Sequence, residues 1–192
     1  MLKDLVLRNR SCRKFYTDHL VSVEMLMSLI ELARVTPSSK NRQPLKYILV
    51  TGKDETDFVF NQLSWAKHLK NWAGPEKAER PPAFLIMLLD TMLNEQALID
   101  AGISAQTILL GATEIGLGGC IIRTVNRSAV RQYYQLPAHL DIIQVIAIGK
   151  PQQDIELTSV QEDGKTEYFE HKSIHFVPKR SLEDIIYIPH HK

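Results

Sequence analysis

The chain has 192 residues, 44% of them hydrophobic and 23% charged, with a formal net charge of +1. Such a length and composition predict one domain, or one domain with arms, holding a sizeable core. A near-neutral total excludes the strong basic bias of a nucleic-acid binder or a membrane-surface protein, and no apolar stretch approaches the roughly 20 residues of a membrane helix.

Leu2, Leu5 and Val6 make a short amphipathic start of one or two helical turns. The charge is uneven: Arg8, Arg10, Arg13 and Lys14 crowd this end, and Lys179 and Arg180 sit near the other. Ser22 is a plausible N-cap, and Leu26, Leu29, Ile30 and Ala33 recur at helical spacing, so residues 23–35 read as a helix ended by Pro37. The stretch T-P-S-S-K-N-R-Q-P (36–44) has the composition of a loop that holds a shape, stiffened by prolines at both ends. Residues 46–50 (K-Y-I-L-V) read as a strand closed by Gly52, and residues 54–72 read as a helix broken by Gly74-Pro75.

Residues 83–89 (A-F-L-I-M-L-L) are apolar on both faces and predict a central strand. The longest helix is expected over residues 94–115, with Ala101, Gly102, Ser104, Ala105, Gly111 and Ala112 all small, and with Gly116 and Gly118 at its end. Close packing within the core and close approach of a second copy explain those small residues equally well. A short strand at 119–122, a short helix at 128–134 and a strong strand at 142–148 follow. Beyond Pro151 the chain turns polar. Tyr168-Phe169 reads as a strand and residues 181–186 as a last helical turn, in an arm of about forty residues with little core of its own. Alternating helices and strands predict an α/β or α+β fold with helices covering a sheet.

Familiar catalytic and nucleotide motifs are missing. The glycines at 116, 118 and 119 follow a helix and precede a strand, the wrong order for either nucleotide loop. His171 and His175 are spaced i, i+4 but outside any expected helix, so the sequence predicts no metal site. Cys12 and Cys120 lack metal or redox spacing and read as free thiols of a reducing compartment. No apolar leader segment is visible at the start, so a soluble, cytoplasmic protein without membrane or nucleic-acid partners is expected. No side chain offers itself as a nucleophile or general acid–base pair, so the catalytic set is left empty. A basic start, a shaped polar loop, a small-residue helix and a basic pair suit a phosphorylated cofactor that brings its own reactivity.

Four stretches together resemble the nitroreductase family of flavin (FMN) oxidoreductases. They are R-N-R-S-C-R-K-F (8–15), A-R-V-T-P-S-S-K-N-R-Q-P (33–44), A-G-I-S-A-Q-T-I-L-L-G-A-T-E-I-G-L-G-G-C (101–120) and I-A-I-G-K-P (146–151). They occur in family order; the C-terminal forty residues match only through V-P-K-R (177–180). The resemblance implies an α+β, three-layer fold, its central and mostly antiparallel sheet covered by helices. It implies one FMN-binding domain over residues 1–192, with 152–192 an arm exchanged in a homodimer. It implies Arg10, Ser11 and Arg13 as flavin contacts, with Arg13 near the pyrimidine edge, where a cation stabilises charge gained on reduction. An arginine fork suits the phosphate dianion.

Pro37, Ser38, Ser39 and Asn41 match the family's loop against the flavin ring, supplied by the other subunit, while Gln43 reads as structural. Asn9 stands where the family more often has an arginine, so either Arg8 substitutes or a phosphate contact is lost. The resemblance also counts Ile122, at the end of the strand after G-L-G-G, among the flavin contacts; Arg123 and Thr124 follow that strand, where relatives often carry a Glu-Gly or Gly-rich pair, and Arg123 either favours anionic substrates or hydride donors, or points to solvent. One of Lys179 and Arg180 closes over the phosphate. The implied activity is ping-pong hydride transfer from NAD(P)H to a flat acceptor such as a nitroaromatic or quinone. The alternatives are another reaction on the same fold (dehalogenation, enone reduction, flavin breakdown) or a non-enzymatic flavin-binding protein.

Overall fold

The computed structural model describes residues 1–66 and 72–189. They fall into two compact units, the first built from Met1–Trp65 and Ala73–Gln152, the second from Gln153 onward together with Ala66 and Trp72.

The first unit is organised by a four-stranded antiparallel sheet in the order β1-β2-β4-β3. The strands are β1 (Leu45–Val50), β2 (Ala83–Asp90), β3 (Gly118–Ile122) and β4 (Leu140–Gly149). All of β2 is buried, as a strand apolar on both faces must be, and it lies inside the sheet between β1 and β4. The other helices of this unit are α1 (Leu2–Arg8), α2 (Val23–Arg34), α3 (Lys53–Asn61), α4 (Leu98–Glu114) and α5 (Arg127–Tyr133). Ser22 caps α2 as its sequence predicts, accepting from the Met25 amide at 3.2 Å.

One face of the sheet, through Leu85, Met87, Ile146 and Ile148, packs on Leu26, Leu29 and Ala33 of α2 and on α4. The alternate β2 residues Phe84 and Ile86 are equally buried on the other face, where α3 with its buried Val59 and Phe60 lies against β2. Ala101, Ala105 and Ala112 turn inward and belong to the chain's own core. A Cβ on Gly111 would stand 2.5 Å from Leu32 Cδ1, so glycine lets α2 and α4 approach. The size of these residues therefore needs no second subunit.

Two helices are shorter than the periodicity predicts. The one expected over 54–72 ends at Asn61, because the chain leaves it to pair with residues 124–126: the Ser64 amide donates to the Thr124 carbonyl at 3.0 Å, and the Asn126 amide to the Gln62 carbonyl at 2.9 Å. The part of that expectation falling on 67–71 lies outside the described residues. The long helix begins at Leu98 rather than 94, since Asp90 organises a turn there. Its carboxylate accepts from the Met92 amide at 3.1 Å, and its carbonyl accepts from Leu93 and Asn94.

The second unit carries a three-stranded sheet in the order β5-β7-β6. Its strands are β5 (Asp154–Ser159), parallel to β7 (Ile174–Lys179), and β6 (Phe169–His171), antiparallel to β7. The polar pattern of this region signals neither β5 nor β7. Buried His175 fills the centre, 5.1 Å from the Tyr168 ring. A final turn, α6 (Leu182–Ile185), is capped by Ser181. No helix among the described residues is long and apolar enough to cross a membrane.

Candidate cofactor site

Residues 9–16 leave α1 as an extended segment clamped to the first unit's sheet. Ser11 forms a parallel bridge with Gly119, the Cys12 amide donates to the Gly119 carbonyl at 3.0 Å, and the Tyr16 amide donates to the Lys150 carbonyl at 3.0 Å. Gly119 is required where this happens: a Cβ there would lie 2.0 Å from the Ala147 carbonyl oxygen. The G-L-G-G run thus serves strand pairing beside the basic segment.

Asn9 is buried and bound to α4. Its amide nitrogen donates to the Leu109 carbonyl and to Thr113 Oγ1, both at 3.0 Å, and its oxygen accepts from Gln106 at 3.1 Å. An arginine would bring an unpaired charge into this pocket. Asn9 is therefore an anchor for its neighbours. Arg10 is half-buried; one guanidinium nitrogen donates to the Val6 carbonyl, while its Nε is buried without a hydrogen-bond partner. Arg13 donates to the Ser11 carbonyl at 3.3 Å, and Arg8 and Ser11 are exposed. Cys12 and Cys120 are both buried, and burial pushes the Cys120 thiol up to about 12.

The 36–44 loop is held at the other end of α4. Ser38 donates its hydroxyl to Asp100, the Ser39 amide donates to the same carboxylate at 3.2 Å, and the Gln43 amide donates back to Ser38 Oγ at 2.9 Å. Gln43 also donates from its side chain to the Asn41 carbonyl at 3.2 Å, a structural tie. Asp100 is 3% exposed, so the carboxylate is a buried hub satisfied by the loop. Lys40, Asn41 and Gln43 have φ values of 50°, 53° and 48°, a left-handed course that non-glycine residues keep only when their surroundings hold it. Pro37 and Ser39 are exposed beside it, whereas Ser38 is committed to Asp100. Sequence reasoning missed Asp100, although a carboxylate within A-L-I-D-A-G-I-S-A was the available signal.

Ile122 is buried at the end of β3, and Arg123 after it is exposed. Arg127, also missed, is spent on backbone: it donates to the Ile142 carbonyl at 2.9 Å and to the Arg123 and Ile143 carbonyls at 3.1 Å. Lys179 and Arg180 belong to the second unit, beside a cavity of about 590 Å³ also lined by Ser159 and Asp184. The first unit thus brings Arg10, Ser11 and Arg13 together at one end of α4 and Pro37, Ser38, Ser39 and Asn41 at the other.

The profile of the Nitroreductase family matches residues 6–150. The chain belongs to the nitroreductase family, and with it to the oxidoreductases. A Vibrio harveyi NADPH-flavin oxidoreductase is 28% identical over 171 residues, covering 80% of this chain and 67% of its own. The structure of an FMN-dependent nitroreductase from Clostridium difficile R20291 superposes with a TM-score of 0.63 at 26% identity, covering 78% of this chain and 87% of that one. A nitroreductase-like protein from Streptococcus mutans shares the fold over 99% of this chain and all of its own, with a TM-score of 0.71 at 14% identity. The four-stranded antiparallel sheet with helices against both faces is the α+β arrangement that the sequence resemblance implies.

Proposed function

We propose that the chain is an FMN-dependent oxidoreductase that takes reducing equivalents from NAD(P)H and passes them to a flat acceptor such as a nitroaromatic or quinone, working as a homodimer. The observation that carries the reading is the buried, unpartnered Nε of Arg10, within a basic segment fixed on both sides by Asn9 and by the Gly119 bridge. A buried guanidinium nitrogen without a partner costs free energy unless an acceptor completes it, and a phosphate oxygen suits it. Arg10, Ser11 and Arg13 would hold the cofactor through charge and hydroxyl donation, with Arg8 at the edge of the group. Pro37, Ser39 and Asn41 would wall its ring, while Ser38 positions that wall through Asp100. Ile122 supplies apolar contact and Arg123 a cation near it. Lys179 and Arg180 are kept as phosphate candidates on their charge. Bound flavin supplies the hydride chemistry, which needs no general acid or base from the protein.

The homodimer is supported by the separation of the two contact groups. Asn9 is tied at Thr113 and the loop at Asp100, about 20 Å apart along α4 at 1.5 Å per residue. One cofactor meets both groups most directly when the loop comes from a second copy. Ile99 and Ile103, 76% and 36% exposed, form an outward apolar face of α4, with open space at Gly102 between them.

The test is a fluorescence titration of apoprotein with FMN. Arg10→Ala is expected to weaken binding by at least about 2 kcal/mol, the scale of a charge-assisted contact. An unchanged affinity would remove Arg10 from the site.

A further inference from the structure

A cavity of about 990 Å³ opens beside the 36–44 loop, between that loop and the 91–97 connector ahead of α4. Leu89 and Ile143 from the sheet and Leu98 from α4 line it. Met92 and Leu98, 78% and 66% exposed, add apolar surface at its edge. The charged groups lining it are Lys40, Arg42, Glu95 and Asp100. Asp100 is already spent on Ser38 and Ser39, leaving two cations and one carboxylate for an occupant. No ion pair or hydrogen bond occupies the Lys40, Arg42 or Glu95 side chains among the described residues. Lys40 is held in its left-handed conformation by the ties on either side of it, so its direction is set by the loop. Long cationic side chains at the rim of a pocket with an apolar lining fit a flat molecule that ends in an anion.

We infer that this cavity receives the acceptor, and that Lys40 and Arg42 select acceptors carrying a carboxylate or similar anionic group, with Glu95 opposing them. The inference rests on the proposed function, because the loop that presents Lys40 is the one proposed to wall the flavin. It goes beyond that reading by naming the chemical class of the acceptor and the residues that set it.

The probes are 4-nitrobenzoate and 4-nitrobenzamide, which match in shape and differ in charge. Binding is measured by equilibrium dialysis on FMN-loaded protein without NAD(P)H, and kcat/KM is measured with NAD(P)H. The wild type is expected to prefer the acid in both. Lys40→Gln and Arg42→Gln should each lower the acid-to-amide ratio about three- to tenfold, as expected for removal of one partly solvated charge partner, and Glu95→Gln should raise it. Each is an exposed position where glutamine leaves a neutral polar side chain, so folding is preserved. A ratio that none of the three changes moves overturns the inference, even if both compounds turn over and the oxidoreductase reading stands. A change in NADPH-over-NADH preference with an unmoved acid-to-amide ratio also overturns it, assigning the cations to the donor's phosphate. The opposite split, with the dialysis preference present and responsive but NAD(P)H oxidised no faster than by free flavin, keeps the inference as a binding property and removes the oxidoreductase reading.

Discussion

Asn9 and Cys120 are buried behind the basic segment and hold it from within. Asn9 breaks the family's arginine pattern, yet its three hydrogen bonds to Leu109, Thr113 and Gln106 fix the backbone that presents Arg10. From sequence the position read as a lost or displaced phosphate contact, because its partners lie about a hundred residues away. Cys120 sits behind the same segment, and burial holds its thiol up to about 12. The native state therefore keeps that proton while the unfolded chain loses it near the ordinary value of 9.0. The resulting stabilisation is complete below that ordinary value and is lost as pH rises through the folded one. Denaturant unfolding of wild type and Cys120→Ala across pH 8 to 11 is expected to show a steeper alkaline loss in the wild type. Half-buried Tyr47 and Tyr134, whose hydroxyls are also shifted upward by partial burial, contribute equally to both proteins. Parallel profiles would mean that Cys120 does not carry the effect.

At the scale of elements, the loop and α4 form one device. Asp100 in the first turn of α4 gathers Ser38 and Ser39, and the positive φ values of Lys40, Asn41 and Gln43 depend on that tie. Asp100→Asn removes a charge-assisted acceptor from a buried position and is expected to cost about 1–3 kcal/mol of stability. Hydrogen exchange should locate the loss: the Ser39 and Gln43 amides exchange faster while β2 and β4 stay protected. Unchanged exchange in the loop would show that the prolines alone hold its shape. The loop's composition announced a fixed shape, but nothing local pointed to a partner 61 residues downstream. Strands β2 and β4 were legible because a buried strand is apolar on both faces. Strands β5 and β7 were not, because β5 is largely exposed and β7 interrupts its apolar residues with His175 and Pro178, so neither forms the continuous apolar run of a central strand, and α3 overran because the competing 62–126 pairing is non-local.

The whole molecule presents apolar surface that a lone chain leaves in water. Ile99 and Ile103 on α4 do so, as do Leu182, Ile185, Ile186, Tyr187 and Ile188 near the C-terminus, the last five between 54% and 85% exposed. A second copy is the proposed occupant, which also brings the two halves of the cofactor site together. Sedimentation at micromolar concentration is expected to show a dimer carrying flavin; a flavin-loaded monomer would sink the shared site. Binding of FMN and electron exchange with a nicotinamide, both proposed for this chain, are read together from the visible spectrum of the purified protein before and after anaerobic addition of NADH or NADPH. A yellow protein whose flavin absorbance bleaches with at least one of the two is the expected result. A protein that stays colourless after FMN is supplied, or a bound flavin that neither nicotinamide bleaches, would contradict it.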